Sequence, residues 1–144
     1  MWNPSGQPGA IACIAGERDL RGTVKFYPVG CGTLVVAEIM GLPENDAGFF
    51  AFHIHEGSDC GGKNFSDTGG HYNPGSTEHP RHAGDLPPLL SRSGRAFLAV
   101  ETDRFRIRDV IGRAVVIHQN ADDFHTQPAG NAGNKIACGV IRRA

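Results

Sequence analysis

Apolar and polar residues alternate along this chain in short runs with a period of two, and no segment holds a 3.6-residue period over three turns. Residues 9–15 and 22–27 read as two strands about the turn GERDLRG. TLVVAEIMGL (33–42) is a third strand, closed by Pro43 and the turn residues ENDAG, and FFAFHIH (49–55) is a fourth. From 56 to 84 the pattern stops, leaving Gly, Ser, Asp, Asn, Pro and His. Irregular connections longer than about 12–15 residues are uncommon in compact domains and usually functional. Alternation resumes in DLPPLLS, where Pro87 and Pro88 predict a short edge strand, and continues in GRAFLAVETD and GRAVVIHQN. A second irregular segment, 119–134, precedes the closing apolar run KIACGVI. The pattern predicts an all-β antiparallel sandwich or flattened barrel, Greek key in topology, built as one domain over 1–144 with two long loops.

Residues i and i+2 of a strand share a face, so Phe50, Phe52 and Ile54 point one way and Ala51, His53 and His55 the other. The apolar side is predicted to face inward and the two imidazoles to lie on the outer surface. Taken alone, that pair fits two solvated polar residues. The loop HYNPGSTEHPRHAGD adds His71, His79, His82 and Asp85 within fifteen residues. Three imidazoles and a carboxylate complete a closed tetrahedral shell of the kind zinc takes in structural sites. Gly84 is expected to allow the tight turn that brings His82 and Asp85 to one centre. His118 ends another strand, as His53 and His55 do, and imidazoles on rigid strands suit a redox metal such as copper. Two four-coordinate sites need about eight ligand places. The candidates His53, His55, His71, His79, His82, His118 and Asp85 are one short, so one histidine would serve both metals through its two ring nitrogens. His125, in a polar loop, is the rival eighth ligand.

Composition narrows the function classes. With 144 residues, 40% of them hydrophobic and 20% charged, the chain is globular. A formal net charge of −1, with Lys and Arg dispersed, gives no basic field for nucleic acid or an acidic membrane surface. No stretch approaches the roughly 20 apolar residues of a membrane-spanning helix. The opening MWNPSGQPGA lacks the basic and apolar regions of a signal peptide, which leaves a cytoplasmic protein or a mature exported form. Four cysteines, Cys13, Cys31, Cys60 and Cys138, fit one structural bridge plus two thiols, with three pairings open.

The segments FHIHE, GGHYNP, HAGDLP, VVIHQNADD and GNAGNKIACGVI, in this order and spacing, resemble the copper,zinc superoxide dismutase family over nearly the whole chain, and look closer to its bacterial than its animal members. The resemblance implies an eight-stranded antiparallel Greek-key β-barrel or sandwich of immunoglobulin-like type. It implies superoxide as substrate, copper on His53, His55, His71 and His118, and zinc on His71, His79, His82 and Asp85, with His71 as the bridge and proton carrier. It further implies that Asp122 hydrogen-bonds one copper histidine and one zinc histidine, and that Cys60 and Cys138 form the disulfide. Three departures stand out. Lys135 occupies the place of the family's active-site arginine, three residues before the final cysteine. The second loop is short, and HTQPAGNAG lacks the charged residues that line many members' entrance. Arg142 and Arg143 replace apolar residues near the animal dimer contact, which leaves a monomer or a homodimer.

Overall fold

The computed structural model describes residues 6–144. Eight strands follow one another: β1 (Ala10–Gly16), β2 (Arg21–Val29), β3 (Gly32–Met40), β4 (Phe49–His55), β5 (Asp85–Leu90), β6 (Ala96–Thr102), β7 (Ala114–His118) and β8 (Lys135–Arg143). They form a single sheet in the order β5-β4-β7-β8-β1-β2-β3-β6, every pairing antiparallel. The sheet curls into a nearly closed barrel whose two edges, β5 and β6, are joined by the tight Arg92–Arg95 turn. The chain crosses the barrel between β3 and β4 and again between β6 and β7, as a Greek key does. The edge position of β5 agrees with its two prolines, which cannot donate to a ladder.

The period-two pattern becomes the core directly. Phe50, Phe52 and Ile54 of β4 meet Phe26, Val35, Leu89, Ile117 and Ile141 inside the barrel, all of them buried. The other face of β4 is also sealed, contrary to the expectation of an outer surface: Ala51 and His53 are 0% exposed and His55 2%. The irregular segments 56–84 and 119–134 cover that face. Two short helical turns were absent from the sequence reading, a 3₁₀ turn at Lys63–Thr68 and α1 at Ile107–Val110. Four residues are too few to carry a helical period. Strand β8 runs on through Arg142 and Arg143, which pair with Ile11 and Ala10 of β1 and are exposed.

The long segment after β4 is stitched back onto that strand. Tyr72 N–H donates to the Ile54 carbonyl (2.8 Å) and Ile54 N–H to the Gly84 carbonyl (2.8 Å), while His55 bridges His71. Gly84 lies in the expected turn, which the Asp85 N–H closes onto the His82 carbonyl (3.1 Å), and it also permits this contact, because a Cβ there would lie 2.2 Å from the Ile54 carbonyl oxygen. Asp85 is thereby delivered opposite His53 at the start of β5. The disulfide Cys60–Cys138 ties the same segment to β8.

Candidate metal centre

Six of the seven histidines converge on the sealed face of β4. His53 and His55 come from β4, and His118 from the end of β7, where the ladder to β8 shifts register after Ile117. His71, His79 and His82 come from the stitched segment, with Asp85 beside them. All seven of these side chains are buried by protein, at most 7% exposed in the cases of His82 and Asp85. His125 stands apart, exposed, with its ring 3.8 Å from Asp123.

Two groups of ligand atoms form, and the hydrogen bonds to the far ring nitrogens define which lone pairs face inward. In the first group, His55 Nδ1 donates to the Gly69 carbonyl (2.8 Å) and His118 Nδ1 to the Gly133 carbonyl (3.3 Å). Burial, the main cause, lowers the His55 pKa to about 2 and the His118 pKa to about 3, so both rings are neutral at pH 7. Their Nε2 atoms then present lone pairs to each other at 3.2 Å, an arrangement that repels unless a cation lies between them. His53 and His71 join these two, with ligand atoms of all four within 4.8 Å of one another.

The second group is more compact. His71 Nδ1 lies 3.1 Å from His82 Nδ1 and 2.9 Å from Asp85 Oδ1. Asp85 Oδ2 lies 3.1 Å from His79 Nδ1 and 3.2 Å from His82 Nδ1. Nitrogen and oxygen ligands about 2.0–2.1 Å from a shared tetrahedral zinc would be about 3.3–3.4 Å apart, close to these separations. His53 also lies within 4.8 Å of His71, His79 and Asp85, but its Nε2 is engaged by Asp122. Burial raises the Asp85 carboxyl, yet the His71 ring 2.9 Å away and the neighbouring imidazoles outweigh it and hold Asp85 below its ordinary value. His82 is shifted down, first by burial.

Asp122, on the second loop, links the groups. Its Oδ2 accepts from His53 Nε2 (2.8 Å) and its Oδ1 from His79 Nε2 (2.7 Å) and Phe124 N–H (2.8 Å). Burial raises this carboxyl, but the three hydrogen bonds prevail and hold it well below the usual carboxylate range. Burial lowers the His53 pKa, against the pull of Asp122. With both Nε2 positions protonated, the Nδ1 atoms of His53 and His79 carry lone pairs. Those two atoms, with His71 Nε2 and Asp85 Oδ1, are buried without a hydrogen-bond partner. Each such atom costs about 1–3 kcal/mol when left unsatisfied, and unpartnered ring nitrogens gathered this closely around a carboxylate fit cations rather than protons. Gly130 closes over this linkage with φ +73, since a Cβ there would lie 2.1 Å from Asp122 Oδ1 and 2.7 Å from His79 Nε2.

Lys135, at the start of β8, donates from Nζ to Thr68 Oγ1 (2.7 Å) and to the Gly69 carbonyl (3.0 Å), the carbonyl that also holds His55. Its positive charge contributes to lowering the pKa of both His55 and His118, and partial burial lowers its own. Sequence reasoning passed over Thr68, the carbonyls of Gly69 and Gly133, and Gln127, which grips the His79 backbone. Backbone carbonyls leave no mark in a sequence, and a lone amide has none until its distant partner is known.

The family described as Copper/zinc superoxide dismutase (SODC) matches residues 20–141. The chain belongs to this family. Among its members, the Superoxide dismutase [Cu-Zn] of Deinococcus radiodurans is 36% identical over 95% of this chain and 86% of its own length. Superoxide dismutase [Cu-Zn] 3 of Arabidopsis thaliana is also 36% identical, over 98% of this chain and 94% of its own. A bacterial and a plant member thus match at the same identity. The crystal structure of the clock protein EA4 superposes with a TM-score of 0.83 at 33% identity, covering 100% of both chains. Among the described residues no helix is long and apolar enough to cross a membrane.

Proposed function

We propose that this chain disproportionates superoxide, with copper held by His53, His55, His71 and His118 and zinc by His71, His79, His82 and Asp85. The observation that carries the proposal is the placement of His71. Its Nδ1 lies in the compact group with His82 and Asp85, its Nε2 is buried and unpartnered, and the ring has a ligand atom within 4.8 Å of those of His53, His55 and His118. A ring that reaches both groups supports a shared ligand, bound through both nitrogens once both have lost their protons, as seven candidates for about eight places require.

Copper, when bound, supplies the one-electron exchange by which one superoxide leaves as dioxygen and a second, taking up two protons, leaves as hydrogen peroxide. The chain's own residues do the remainder. His71 holds a proton at Nε2 in one half of the cycle and yields it to the departing peroxide in the other, while Nδ1 stays with the zinc ligands. Asp122 keeps His53 and His79 in the tautomer that leaves each Nδ1 free. Strands β4 and β7 fix His53, His55 and His118, so the site changes little between oxidation states. Lys135 supplies the positive charge beside His55 and His118 that draws in a small anion.

Copper(II) and cobalt(II), one equivalent of each per chain, test the shared ring by electron paramagnetic resonance. Coupling through His71 is expected to quench the copper signal, and an isolated copper signal at full strength would remove the bridge. His118→Ala is expected to lose copper and superoxide consumption while keeping zinc. Parental copper content and activity in that variant would overturn the ligand assignment.

A further inference from the structure

Gln127 sits in the second loop, 48 residues from His79, and its side-chain amide is spent almost entirely on that one residue. Oε1 accepts the His79 N–H (2.8 Å) and Nε2 donates to the His79 carbonyl (2.7 Å). The remaining Nε2 hydrogen goes to the His125 carbonyl (3.0 Å), which orients the amide from its own loop. The first two bonds reproduce with a side chain what a neighbouring strand does with its backbone: both polar groups of one residue are gripped at once. The His79 ring is meanwhile held by Asp122 of the same loop (2.7 Å). His79 is therefore fixed at backbone and ring by segment 119–134. His82 is held differently, through its N–H to Asp85 Oδ2 (2.9 Å) and through its carbonyl from Arg104 (3.1 Å). The turn that aims Gln127 is closed by Gly130 N–H to the Thr126 carbonyl (2.7 Å) and Asp123 N–H to the Gly130 carbonyl (3.0 Å). Gln127 itself is exposed and packs into no core, so its replacement leaves the barrel intact.

We infer that Gln127 is a positioning residue for His79, latching the second loop onto the zinc ligands so that the order of that loop and the retention of zinc become one property. This rests on the zinc assignment proposed above. Glutamate at 127 keeps the acceptor for the His79 N–H but replaces both donors with an oxygen that faces two carbonyls. Methionine keeps the length and loses all three bonds.

The experiment compares the metal-loaded parent with Gln127→Glu and Gln127→Met. Zinc transfer to a chromogenic chelator gives the release rate, cobalt(II) in the zinc site reports ligand geometry by its visible bands, and thermal melting of the metal-free proteins reports the fold. Both variants are expected to release zinc about 10–100-fold faster, as losses of partners that orient metal ligands do. Their cobalt bands are expected to shift and their metal-free melting temperatures to match the parent. Release at the parental rate overturns the inference. Faster release with unchanged cobalt bands and a lowered metal-free melting temperature also overturns it, because Gln127 would then be a general brace of the loop. A parent that fails to hold one zinc per chain overturns the zinc assignment itself, and the inference with it.

Discussion

Replacing Asp122 with asparagine separates the two metals in a way that shape alone would not. The carboxylate accepts three hydrogen bonds, one at Oδ2 from His53 and two at Oδ1 from His79 and Phe124. Asparagine offers one oxygen and one NH₂ group. Keeping its oxygen toward His79 and Phe124 preserves two bonds and sets the NH₂ against His53 Nε2–H. The flipped amide preserves only the His53 bond, a disadvantage of about one hydrogen bond or 0.5–1.5 kcal/mol. The first orientation therefore dominates by roughly twofold to tenfold. Two donors now face each other at His53, and the ring relieves the conflict by moving its proton to Nδ1. That nitrogen is the buried, unpartnered atom proposed above as a copper ligand. A charge-assisted hydrogen bond contributes about 1.5–3 kcal/mol, so copper affinity should fall roughly 10–100-fold. Zinc affinity should fall less, since His79 keeps an acceptor that has only lost its charge. Competition dialysis of each metal in Asp122→Asn and parent measures both. Equal affinities for both metals, or zinc weakened more than copper, would refute this chain of reasoning.

Other consequences are as direct. In the metal-free protein His55 and His118 stay neutral to about pH 2 and 3, whereas the unfolded chain protonates them near its ordinary value of 6.5. The unfolded state binds more protons below that value, so stability falls as pH drops, by about 1.4 kcal/mol per pH unit for each ring. Urea unfolding of the metal-free protein at pH 7 and pH 5.5 checks this, and equal stability would contradict it. The Cys60–Cys138 bridge spans 78 residues, and Cys138→Ser is expected to cost roughly 4 kcal/mol on the chain-entropy picture, read as a lower denaturation midpoint. An unchanged midpoint would argue against that stabilisation. Lys135→Ala is expected to slow superoxide consumption and flatten its salt dependence, whereas Lys135→Arg keeps the salt slope. Because burial lowers the Lys135 pKa and its cation is lost as pH rises, parental activity should decline at a lower alkaline pH than in Lys135→Arg. An alanine variant with unaltered rate and salt slope would remove Lys135 from substrate guidance.

The fold was legible because strands announce themselves with a period of two, and the eight predicted runs match β1 to β8 to within a few residues. The inward faces followed from the same period, as Phe50, Phe52 and Ile54 illustrate. What a single strand cannot express is the cover on its other face. His53 and His55 looked solvated because the segments that seal them have no periodicity of their own. The convergence of His71, His79, His82 and Asp85 was legible from their density in one loop, and the pairing of Cys60 with Cys138 only through the family. Gln127, Thr68 and the Gly69 carbonyl were hidden for a different reason. They act through bonds to residues 48 or more positions away or through the backbone, and nothing in their own identity records the partner.

The most direct measurement is the rate of superoxide consumption by stopped flow, on protein carrying one copper and one zinc per chain, beside the same protein carrying zinc alone. Fast consumption that appears only with copper, and that saturates at one copper per chain, is the predicted result. Consumption no faster with copper than with zinc alone would contradict the proposed activity, whatever the metal content.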